Sequence, residues 1–167
     1  MDLVFFQRKH KRLRAFALRL LGNRRGYAAL KERNRYHIRR HFRKGHLELA
    51  SYPKLLHVEM STHCNLRCRM CSIVRPGWTR KIQHIEMDVM ERLRPALPFV
   101  SDTKMHGGGE PFLNPNIERI IEIFLEYEVR LNTVTNASVI DDRLARLIGL
   151  NYSTLTVSVD GTDAEVL

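Results

Sequence analysis

A chain of 167 residues with 44% apolar content is long enough for one packed domain and too apolar to be disordered throughout. Its formal charge of +10 is one-sided: residues 1–50 hold 15 Lys and Arg against 3 Asp and Glu, whereas residues 51–167 hold 13 against 15. This divides the chain into a basic N-terminal arm, 1–50, and a near-neutral domain, 51–167, and excludes a basic surface spread over the whole molecule.

Other classes fall away on local grounds. Three cysteines, all between positions 64 and 71, cannot build a stapling disulfide framework, so metal binding in a reducing compartment is the better reading. No stretch reaches the roughly 18 uninterrupted apolar residues of a membrane span. The chain opens with apolar residues ahead of its charges, the reverse of a secretory signal. The cytoplasm is the expected location.

In the arm, Leu13, Phe16, Ala17, Leu20 and Leu21 follow the spacing of a helix with one apolar face, and Gly22-Asn23 is a plausible stop. Residues 31–46 are very basic with few apolar anchors, and are expected to form a solvated helix or to stay flexible. Pro53 suits a boundary. From there the chain alternates. Residues 55–60 read as a strand and 86–93 as a helix with Asp88 near its start. Residues 101–106 read as a strand, and 116–128 as a helix with Ile117, Ile120, Ile121, Phe124 and Leu125 on one face. A strand is expected at 130–135, a helix at 141–148 and a strand at 152–159. Repeated strand–loop–helix units imply a parallel sheet, and in such sheets sites gather at the C-terminal strand ends.

The loop after the first strand carries Cys64, Cys68 and Cys71 with C-x3-C-x2-C spacing. Thiolates are soft ligands that suit iron–sulfur clusters or zinc. A compact loop can wrap three corners of a cubane and leave one iron open to a substrate. The alternative is structural zinc, with His63, His57 or His106 as fourth ligand. After the second strand comes His106-Gly107-Gly108-Gly109-Glu110-Pro111. Its glycines permit close backbone approach to a ligand, Glu110 offers an acceptor and Pro111 fixes the exit of the turn; a plain tight turn is the competing reading. Asn136 closes the third strand, and Ser158 and Asp160 the fourth, where polar side chains commonly satisfy turn hydrogen bonds.

A strand followed by C-x3-C-x2-C resembles the signature of the radical S-adenosylmethionine superfamily. The context Ser61-x-x-Cys64-Asn65-Leu66-x-Cys68-x-x-Cys71 is similar to the subgroup with a C-terminal SPASM or twitch extension. Met70 departs mildly, standing where the family usually has an aromatic or other bulky apolar residue. The resemblance covers roughly residues 55–165 and implies an α/β fold, a partial (β/α)6 TIM-like barrel preceded by the basic helical arm. It also implies a 4Fe-4S cluster on the three cysteines, and S-adenosylmethionine chelating the open iron. Gly108, Gly109, Glu110 and Pro111 match the family's GGEP motif, which binds the cofactor's amino group. Asn136, Ser158 and Asp160 match strand ends that contact its carboxylate and ribose. The implied reaction is reductive cleavage to a 5′-deoxyadenosyl radical that takes a hydrogen atom from an unknown substrate, a peptide or cofactor precursor, with an external electron donor. On this reading, Val at Gly108 or Gly109 would weaken cofactor binding and leave iron in place.

The family's barrel has six βα units and only about four are legible here. The expectation is therefore a truncated core, poorly soluble or dimeric through an unpaired fourth strand, and without turnover. The alternative function is a non-catalytic fragment holding a structural cluster or zinc, with a basic interaction arm. For the arm itself, a solvated or protein-binding role ranks first, an anionic membrane surface second and nucleic acid third.

Overall fold

The computed structural model describes residues 25–75, 77, 79 and 81–159. The helix expected around Leu13 to Leu21, and the Asp160-Gly161 turn, lie outside the described residues. Helix α1 (Arg25–Arg43) leads into β1 (Leu55–His57), α2 (Met87–Leu93), β2 (Asp102–Lys104), α3 (Ile117–Glu126), β3 (Arg130–Thr135), α4 (Asp142–Asn151) and β4 (Tyr152–Val157). The strands form one parallel sheet in the order β1-β2-β3-β4. Leu56 pairs with Thr103, and Thr103 with Leu131. Parallel neighbours need crossovers, and the intervening helices supply them.

The core is aliphatic with a methionine cluster, including Met60, Met90, Met105, Ile120, Phe124 and Leu131, all fully buried. Helix α3 buries Ile117, Ile120, Ile121 and Phe124 as their spacing predicts, but its apolar stripe is turned toward Ile123. Leu125 is only partly covered. Asp141 caps α4 by accepting from the Leu144 amide at 2.8 Å, which satisfies one of the free N–H groups of a helix start.

Three strands are shorter than their sequences suggest, and β2 keeps only Asp102–Lys104 of the expected 101–106. β1 stops at His57; Val58 N still donates to Lys104 O at 2.9 Å, and residues 60–62 then take another partner. Thr62 N donates to Gln83 O at 2.9 Å and Ile85 N to Met60 O at 3.0 Å, while Ser61 and His84 form an antiparallel bridge. The cysteine loop is thus tied shut at its base. β4 ends at Val157, although Ser158 N still donates to Thr135 O at 2.8 Å.

The basic segment is helical, and one of its faces is anchored to the core. Its anchors are polar. Lys31 is buried, and its ammonium donates to the carbonyls of Tyr127 and Glu128 at 2.8 and 2.6 Å, just past the C-terminus of α3, where carbonyls lack helical partners. Burial lowers the Lys31 pKa, while Glu128 and Asp102 act in the opposite sense. Asn34 is buried as well. It donates to Tyr52 O at 2.9 Å and accepts from Tyr52 N at 3.0 Å, with a longer bond to Phe99 O at 3.4 Å. Tyr52, Phe99 and Glu128 precede β1, β2 and β3, so α1 lies across the N-terminal strand ends. The cysteine loop leaves the opposite end of the sheet.

Candidate metal and cofactor centre

The cysteine loop leaves β1 through a short polar stem. The buried Ser61 hydroxyl donates to His63 O at 3.2 Å and accepts from His63 N at 2.9 Å. The Thr62 hydroxyl donates to Lys81 O at 2.8 Å and accepts from Gln83 N at 2.8 Å. Cys71 N donates to Cys68 O at 2.9 Å, a turn that leads into the 3-10 segment Ser72–Val74. None of the three cysteines is in a disulfide, and each is partly exposed.

The glycine turn after β2 backs directly onto this stem. Glu110 N donates to His63 O at 2.7 Å. A Cβ at Gly109 would overlap backbone atoms of Ser61, Thr62 and His63. The glycine is therefore required by the neighbouring chain, and its substitution would displace the stem of the cysteine loop. This replaces the expectation that Val at this position would leave iron in place. At Gly107 a Cβ would meet the Glu59 side chain, whose Oε1 accepts from Gly108 N at 2.6 Å.

Glu110 is almost completely buried, and its carboxylate ties elements together. Oε1 accepts from the Thr135 hydroxyl at 2.7 Å and from Phe112 N at 3.2 Å, and Oε2 accepts from Asn136 N at 2.8 Å. The side chain thus locks the glycine turn to the end of β3, while Pro111 opens the short 3-10 segment Pro111–Leu113. Glu110→Gln keeps the shape but leaves at least one of these donors facing an NH2 group. It is expected to cost about 2 kcal/mol in urea unfolding; an unchanged midpoint would show that these bonds contribute nothing.

Asn136 joins the third strand end to the cysteines. Its amide donates to Asn65 Oδ1 at 3.1 Å and toward Cys64 Sγ at 3.7 Å. Its Oδ1 accepts from Ser138 N at 3.0 Å and from the Ser138 hydroxyl at 2.7 Å. Asn65 closes the ring by donating to Ser138 Oγ at 2.7 Å. Ala137 between them has φ 59°, a left-handed conformation that costs a non-glycine residue roughly 1 kcal/mol and curls Ser138 back toward Asn136. Ser158 lies exposed beyond β4. Asp160 is outside the described residues.

Three contributors escaped the sequence reading, Glu59, Asn114 and Ser138, while Asn65 and Thr135 stood there only as motif and strand-end residues. Asn114 is buried and donates to Met60 O at 2.8 Å and Ile85 O at 3.2 Å, bracing both sides of the cysteine-loop base. The Asn114-Pro115 dipeptide signals a turn, but nothing local signals that brace. His57 and His106, offered as zinc ligands, engage each other: His57 Nε2 lies 2.6 Å from His106 O and the rings are 4.9 Å apart. Burial lowers the His106 pKa, and the positive charges of His57 and Lys104 add to the effect.

Among the described residues, no three His, Cys, Asp or Glu side chains gather closely enough to share one ion. A cubane makes a different demand, since each thiolate binds its own iron. Three soft donors on one loop, with an amide N–H directed at the Cys64 sulfur, have the chemistry that such a cluster requires. Amide donors near the sulfurs also tune cluster potential.

A family model described as the radical SAM superfamily matches residues 58–167. The FeMo cofactor biosynthesis protein NifB of Klebsiella pneumoniae is 27% identical over 136 residues, covering 74% of this chain and 28% of that protein. The crystal structure of SuiB from Streptococcus suis aligns with a TM-score of 0.57 at 23% identity, over 78% of this chain and 29% of SuiB. BtrN, crystallised with AdoMet and 2-DOIA, aligns with a TM-score of 0.54 at 21% identity, over 66% of this chain and 47% of BtrN. The described fold is thus part of the TIM-like barrel of these structures, and the chain spans less than half the length of each of these three proteins. No helix of the described residues is long and apolar enough to cross a membrane.

Proposed function

The chain belongs to the radical S-adenosylmethionine superfamily, and on that footing we propose that Cys64, Cys68 and Cys71 hold a 4Fe-4S cluster next to an S-adenosylmethionine site at residues 108–111. Family membership implies the cluster, the cofactor, an electron donor and a substrate. The substrate is not identified by any residue of this chain. The motif around Asn65-Leu66 supports kinship with the SPASM or twitch subgroup.

A cluster held by Cys64, Cys68 and Cys71 would supply the electron for reductive cleavage of the cofactor's sulfonium, and with it the radical chemistry of the family. The chain's own residues hold and orient. The Glu110 carboxylate fixes the glycine turn against β3, leaving that turn's backbone as the surface available to an amino group. The Asn136 amide holds the cysteine loop through Asn65 and directs an N–H at Cys64. Ser158 and Asp160, following β4, are proposed contacts for the cofactor's polar groups.

The observation that carries this reading is the direct join of the two motifs, with Glu110 N bonded to His63 O and Gly109 packed on the cysteine stem. It sets the glycine turn and the cysteine loop side by side. Anaerobic reconstitution and electron paramagnetic resonance test it. Adding S-adenosylmethionine to the reduced, iron-loaded chain should change the cluster's spectrum. An unchanged spectrum would count heavily against the cofactor site, and tight zinc without iron would favour a structural metal fragment.

A further inference from the structure

We propose that α1 is a docking surface for a bilayer carrying anionic lipid, and that it holds the barrel with its N-terminal strand ends toward the membrane. The inward face of the helix is fixed by Lys31 and Asn34. Its outward face carries Arg33, Tyr36, Arg39, Arg40 and Arg43, all exposed. The only carboxylate on α1, Glu32, pairs with Arg35. This leaves the outward arginines without acidic partners on their own helix.

Charge alone would suit any polyanion. The apolar side chains beside it narrow the choice. Phe42, on the last turn of α1, is 85% exposed, Leu47, three residues past Lys44, is 100% exposed, and Tyr36 is 61% exposed. An aliphatic side chain gains nothing against a phosphodiester backbone, but it gains free energy in the acyl boundary below phosphate headgroups. Basic residues with interleaved exposed aromatic and aliphatic groups are the composition of an interfacial helix. The preceding sequence has the same character, with Leu3-Val4-Phe5-Phe6 ahead of Arg8, Lys9, Lys11, Arg12 and Arg14. Because α1 crosses the strand N-termini, docking there leaves the cysteine loop, at the other end of the sheet, open to soluble reactants.

Flotation with vesicles tests this, since aggregates stay at the bottom of the gradient. The chain should float with phosphatidylcholine–phosphatidylglycerol vesicles at about 0.1 M salt, stay behind with phosphatidylcholine alone, and be released at about 1 M salt. Arg39→Gln, Arg40→Gln and Arg43→Gln together should lower partitioning about a hundredfold. Phe42→Ser with Leu47→Ser should lower it about tenfold and keep the salt dependence. None of the five touches the core or the cysteine loop, so iron content and melting temperature should match the parent. Absence of flotation, equal flotation with neutral vesicles, or full retention by the triple variant would overturn the proposal. So would tight binding to duplex nucleic acid without any vesicle partitioning.

Discussion

Cys64→Ala, Cys68→Ala and Cys71→Ala, each made alone, are expected to reduce reconstituted iron from about four per chain to background. The loop offers no substitute ligand. Asn65 and Asn136 are neutral amides already bonded to each other and to Ser138, and the His63 ring lies against His84 with centroids 6.4 Å apart. Two remaining thiolates hold a cubane poorly. His63→Ala should keep nearly all of its iron, because its structural contribution comes from the backbone, through His63 O and N. Iron and acid-labile sulfide, measured after anaerobic reconstitution, give the result directly. If the histidine variant loses metal as completely as the cysteine variants, the three-thiolate assignment is wrong.

Gly109→Ala should be more damaging than the same change at Gly107, which meets the flexible Glu59 side chain, or at Gly149, which meets nothing. The new carbon would sit closer than 3.0 Å to backbone atoms of Ser61, Thr62 and His63. Backbone tied down by the Ser61 hydroxyl and by the pairing to residues 83–85 cannot yield as a flexible side chain would. The expected loss is about 3 kcal/mol in urea unfolding. Iron content should fall with it, because the displaced stem ends at the first cysteine. Gly149→Ala is the matching control. It is an α4 position with nothing within 4 Å of the added carbon, where alanine should stabilise by about 0.5–1 kcal/mol. A Gly109→Ala chain with parental stability and full iron would refute the join between the two motifs.

Much of the architecture was legible because it rests on short-range periodicity. The spacing of Ile117, Ile120, Ile121 and Phe124 predicted α3, and β3 at residues 130–135 matched its expected bounds. The cysteine spacing and the glycine run needed no structure to be singled out, since thiolate chemistry and glycine's lack of a Cβ are properties of the residues themselves.

Tertiary contact decided the rest. Whether Gly109 serves a ligand or a neighbouring chain depends on what stands within 3 Å of it, which no local pattern encodes. Glu110 looked like a free acceptor because Thr135 and Asn136 lie 25 and 26 residues away. The basic segment looked unanchored because hydrophobic periodicity counts apolar residues, while its anchors are a lysine and an asparagine bonded to the backbone of Tyr52, Tyr127 and Glu128. The sequence alone singled out the candidate thiolate ligands and the order of strands and helices from β1 to β4, because both follow from local chemistry. Only the folded chain decided which polar groups are spent holding the site together, because that depends on long-range pairing of buried donors and acceptors.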